Sequence, residues 1–94
     1  MQTEFTVRER LTRFEIAQET IGFMIAMRTT AIYDEEKKAN PDREKIAQWE
    51  AESKQLDDEL YELGLNDDAA IQHVLDDYCP IVKADYEQSR AKHV

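Results

Sequence analysis

TVRERLTRFEIAQETIGFMIAMRTTAIYDEEKKANPD, residues 6–42, holds the decision about the fold. Thr6 and Glu9 stand three apart at the head of a periodic apolar run. That is the spacing of a capping box, in which hydroxyl and carboxylate each accept from the other residue's amide. Val7, Leu11, Phe14, Ile21, Met24, Ile25 and Ile32 then recur at helical intervals, and no proline interrupts them before Pro41. The stretch predicts one long helix from Val7 to Ala39, on the order of 50 Å at about 1.5 Å per residue. Asn40-Pro41 closes it and opens a second helix. Asn40 suits the N-cap, Pro41 the first helical position, and Asp42 and Glu44 the positive helix end.

Downstream, Ile46, Trp49, Leu56, Leu60 and Leu63 fall on one face of that second helix, with Trp49 expected in the core. Lys54, Asp58 and Glu62 fall on the other, and Glu50 and Lys54 have the i,i+4 spacing of an ion pair. Leu63-Gly64-Leu65 reads as a stop, with Gly64 in the left-handed position. Asn66 is then the expected cap of a third helix whose stripe is Ile71, Val74, Leu75 and Tyr78. The stripe continues in phase through Val82, Asp85 and Tyr86, with Pro80 on the opposite side, so the proline predicts a kink and not an end. Connections this short make consecutive helices antiparallel neighbours. The expected fold is all-α: a three-helix antiparallel bundle with a long first helix and a third helix kinked at Pro80. It forms a single helical domain over residues 1–94, frayed at about 1–5 and 91–94.

Composition narrows the class. Leu, Ile, Val and Phe number 20 of 94 residues, just above the level at which a charged chain stays disordered, so the core must be modest. Two glycines and two prolines leave too few turns for a sandwich or barrel. The lone Cys79 forms no internal disulfide, fits a reducing cytoplasmic setting, and suits a small hydrophobe at the edge of the third stripe. The apolar run Ile21–Met27 is too short for a bilayer, and the first residues lack the pattern of a signal peptide. A net charge of -9 repels nucleic acid and anionic lipid, which removes both as direct partners.

Reactive groups are sparse. His73 lies one helical turn before Asp77, the arrangement of an exposed histidine beside a solvated aspartate. No second metal-ligand spacing, phosphate loop, nucleophile–base order or cofactor fingerprint accompanies it. The sequence therefore predicts no enzyme activity, catalytic residue, metal or cofactor.

Two surfaces remain. A second helix of about 23 residues cannot cover a first of about 33, which leaves Val7, Leu11 and Phe14 overhanging. A further strip, Ile16, Thr20, Phe23 and Met27, lies well round the first helix from its main face. It serves either to receive the third helix or to self-associate; with the overhang it predicts a homodimer through the first helix. Tyr33 and Tyr61 fall at stripe edges, where interface and plain surface are equal readings.

Charge supplies the second surface. Residues 1–33 hold four acids and four arginines, so the whole deficit lies after them. Residues 55–82 hold eight acids and no Lys or Arg: Asp57, Asp58, Glu59, Glu62, Asp67, Asp68, Asp76 and Asp77. A solvated, solubilising face is the plainer reading. The functional one is an acidic surface for a basic protein partner, giving a non-enzymatic helical interaction module. The alternative is an inhibitor of a nucleic-acid-binding protein that mimics phosphate charge, as an anti-defence or antitoxin protein would.

Overall fold

A computed structural model describes residues 5–92. Three helical rods form a bundle, and no strand occurs among the described residues. The first rod, α1 (Val7–Glu36), starts where the capping box places it. Thr6 Oγ1 accepts from the Glu9 amide at 3.1 Å, and the Glu9 carboxylate accepts from the Thr6 amide at 2.8 Å. It ends three residues before the expected Ala39. Glu35 causes that early end: its buried carboxylate accepts from the Asp42 amide and from Lys38 Nζ, both at 2.9 Å, and so clamps the turn.

The second rod, α2 (Arg43–Glu62), starts two residues later than expected. Asp42, not Asn40, is the N-cap, accepting from the Glu44 and Lys45 amides. Pro41 lies outside the helix. Arg28 Nε meets Glu52 at 2.7 Å near the middle of the hairpin, and Ile21 lines a cavity with Glu59 and Leu63 at its far end. Contacts thus move down α1 as they move up α2. Lys54 pairs with Asp58 at 3.9 Å and not with Glu50. Gly64 keeps a negative φ, so the expected left-handed stop is absent.

The third rod runs without a non-helical residue through α3 (Asp68–His73), a π-helical turn (Val74–Tyr78) and α4 (Cys79–Lys92). Asp67, not Asn66, caps it, accepting from the Ala70 amide at 3.1 Å. Its start meets the head of α1: Arg10 lies 3.7 Å from Asp68, and Arg13 donates to Gln72 at 3.0 Å. The irregularity expected at Pro80 sits just before it. Proline has no amide hydrogen for the Asp76 carbonyl and crowds that oxygen, and a wider turn relieves both. The Cys79 amide accordingly reaches back five residues to Val74 O. Of the fraying expected at the ends, residues 1–4, 93 and 94 lie outside the described residues, while 91 and 92 continue α4.

Ala17, Ile21, Met24, Leu56, Ile71 and Val74 form the buried core, with Phe14, Met27, Leu60, Leu63, Tyr78 and Val82 packed against it. Trp49 is half-buried. At about 1.5–3 kcal/mol per large buried side chain, so short a core is a thin reserve against chain entropy. The molecule is also extended. Its radius of gyration is 16.0 Å, against about 12 Å for a compact chain of this length. Its accessible surface is 7308 Å², against about 5,600 Å² for a compact monomer of this mass.

Candidate functional site

α4 leaves the π turn alongside α1 with its outer half exposed. Between them opens a groove of about 490 Å³. Thr20 and Phe23 form the α1 wall; Cys79, Val82 and Tyr86 form the apolar part of the α4 wall. Lys83, Asp85 and Ser89 complete the lining, so the groove has no net charge. Phe23 is 60% exposed and Tyr86 63%, large values for aromatic rings flanking one groove.

At the head of the groove Thr20 is buried. Its Oγ1 donates to the Ile16 carbonyl at 2.7 Å and lies 3.3 Å from Cys79 Sγ. The hydroxyl has one hydrogen, already given to Ile16, so the thiol is the donor in the second contact. Cys79 is therefore a half-buried packing residue that ties α4 to α1.

The predicted self-association residues divide. Thr20 is buried, and Phe14 and Met27 pack on the protein's own core. Ile16 and Phe23 stay exposed on the groove side. Val7, 80% exposed, and Leu11 stay exposed at the overhang. At about 100° per residue, Leu11 lies about 120–140° round the helix from Ile16 and Phe23. The seven residues are thus two patches on different sides of α1. The start of the third rod reaches the overhang through Arg10 and Arg13 but leaves Val7 and Leu11 in water. Sequence reasoning placed Tyr86 in the core stripe and missed its role as a groove wall; its pairing with Asp85 in one stripe was the available signal.

Most of the eight acids have local work. Glu59 accepts from the Tyr78 hydroxyl, with its two oxygens 2.8 and 2.9 Å away. Burial, that hydrogen bond, and the charges of Glu59 and Asp77 push the Tyr78 phenol up to about 12. Asp67 is a cap, Asp68 faces Arg10, Asp58 faces Lys54, and Asp76 accepts from Gln72 at 2.9 Å. Asp77 lies 2.7 Å from His73 Nδ1, as the spacing predicted, and the His73 ring meets Tyr78 edge-on at 5.0 Å. Asp57 and Glu62 are exposed with no hydrogen bond or ion pair among the described residues. Glu59, Glu62 and Asp67 border a second cavity of about 140 Å³, floored by Ile21, Leu63, Ala70 and Val74. Tyr33 and Tyr61 are exposed, and Lys37 sits over the Tyr33 ring at 4.0 Å.

No group of three or more metal-ligating side chains occurs among the described residues, and no helix there is long and apolar enough to cross a membrane. No family model, curated protein or solved structure matches the chain.

Proposed function

We propose that the protein is a non-enzymatic helical interaction module that pairs with a second copy of itself through the α1–α4 groove. One observation carries this reading: a largely apolar groove of no net charge flanked by two exposed aromatic rings on an otherwise acidic chain. Two copies at -9 repel, so a self-association face must lie where the charge does not. Residues 34–78 hold fifteen acids and five bases, whereas 1–33 balance and 79–94 carry three bases against two acids. Both walls of the groove come from those balanced segments. In a two-fold pairing, Phe23 of each copy enters the groove of the other beside Val82 and Tyr86. The surface in excess of a compact monomer, about 1,700 Å², exceeds the roughly 800 Å² that one partner contributes to an ordinary interface.

Sedimentation of Phe23→Glu with Tyr86→Glu tests the pairing. Both side chains are exposed, so the variant keeps its helical content while two carboxylates enter the interface. The wild type is expected as a dimer and the variant as a folded monomer. A monomeric wild type, or an unchanged mass in the variant, removes the proposal.

A second surface fits a basic protein. Its support is the placing of Glu59, Glu62 and Asp67 round one apolar-floored cavity, with Asp57 and Glu62 unengaged among the described residues. Phosphate mimicry needs a long array, since DNA presents one charge per about 1.7 Å, and favours this surface less. Asp57→Lys with Glu62→Lys should abolish binding of a Lys/Arg-rich protein and leave the dimer intact. Binding that survives both changes sinks this second reading.

A further inference from the structure

The π-helical turn has a consequence for the groove. Ile71 and Val74 are buried against α1 and mark the side of the third rod that faces it. Counting on at about 100° per residue, an uninterrupted α-helix would aim Asp85 at α1 and turn Cys79 and Tyr86 about 90–110° away. A π turn holds one extra residue, which delays everything after it by about 100°. Cys79 and Tyr86 then face α1, Ile81 swings outward, and Asp85 moves from the facing side to the flank, where it still lines the groove.

The side chains follow the delayed count. Cys79 Sγ lies 3.3 Å from Thr20 Oγ1 on α1. Tyr86 and Val82 share the groove with Phe23, Asp85 lines it from the flank, and Ile81 lies outside the lining. In the other phase, the Asp85 carboxylate would point directly at α1 and not flank the groove, a costly placement for a charge.

We propose that Pro80 is the positioning residue of the docking groove: by selecting the π turn it sets the rotation of α4, and so aims Cys79 and Tyr86 at Thr20 and Phe23 and keeps Asp85 at the flank. The association readout rests on the self-pairing proposed above; the geometric readout does not.

Two variants test it, Pro80→Ala and Pro80→Ala with Asp76 deleted. The first restores the missing donor, and the α phase replaces the π phase. The second removes the extra residue as well, and so returns an unbroken α-helix to the native phase. Each is examined by circular dichroism, by the nuclear Overhauser effect between the Thr20 methyl and the Cys79 β protons, and by sedimentation. Pro80→Ala should remain helical, lose the Thr20–Cys79 signal and dimerise roughly tenfold less tightly or worse, as when an anchoring aromatic is lost. The deletion should restore both, which a general loss of stability cannot do. Retention of the Thr20–Cys79 signal in Pro80→Ala overturns the proposal, as does unfolding of that variant or a helical deletion variant that fails to regain the signal. If the deletion variant does not fold, Pro80→Ala alone decides. A monomeric wild type would discard the pairing and leave the Thr20–Cys79 signal to judge the role of Pro80.

Discussion

Tyr78 holds its single hydroxyl hydrogen between two oxygens of Glu59, nineteen residues away on another helix. Exchanging that bond for water is worth about 1 kcal/mol, rising to about 1.5–3 kcal/mol when the acceptor is charged. Tyr78→Phe should therefore destabilise the fold by about 1–2 kcal/mol at neutral pH, measured by urea denaturation. The folded phenol titrates at about 12 against an ordinary 10, so the folded state holds this proton more tightly than the unfolded state. The stability linked to it is whole below pH 10 and is lost as pH rises through 12. Wild type should lose more stability over that interval than Tyr78→Phe, and phenolate absorbance should show one tyrosine ionising last. Parallel stability curves would refute the assignment. The stripe of Ile71, Val74 and Tyr78 was legible in the sequence, whereas Glu59 as partner was not. A period fixes the face of a helix, not its rotation and slide against a neighbour. Thr20 is the same case: its place on a second strip was readable, but Cys79 as the residue that packs on it was not.

Helix boundaries depend on which side chain reaches an unpaired amide first. The capping box at Thr6 is contained within four residues, and the structure keeps it where the sequence placed it. Asn40-Pro41 has the right residue types for a helix start, but Asp42 takes the cap because Glu35 has bound its amide. That bond across the turn, with Lys38 second, holds the Glu35 carboxyl below the ordinary 4.5. A lowered value means stability present above pH 4.5 and lost as pH falls through the folded value. Glu35→Gln keeps the shape and discards the charge. Its melting temperature should lie below that of wild type at neutral pH, and the two should converge as pH falls below 4.5. A constant gap at all pH values would mean that the charge is not what clamps the turn. Pro80 was legible as a disturbance, but not as a π turn. The pattern did hold one trace of it, since Asp85 in an apolar stripe marks a phase the chain does not adopt.

Across the whole molecule, charge and apolar surface are segregated. The balanced segments, 1–33 and 79–94, supply the walls of the groove, while the acids gather on 34–78 in the rest of the bundle. Both features were readable residue by residue, but their separation in space was not. It depends on α4 returning beside α1, which requires three helices to pack. The segregation gives the two proposed surfaces opposite responses to salt. Raising ionic strength from about 0.01 M to about 0.15 M shortens the Debye length from about 30 Å to about 8 Å. The longer length is comparable to the 33 Å and 19 Å short dimensions of the molecule and the shorter is well below both, so added salt hides most of one copy's charge from the other. A dimer held by apolar contact between two chains at -9 should then tighten, with its dissociation constant falling a few-fold in sedimentation equilibrium. Binding of a basic protein to the acidic segment should weaken over the same interval, because the attraction is screened. A dimer that dissociates as salt rises would instead be held by ion pairs, and the largely apolar α1–α4 groove would no longer qualify as its interface.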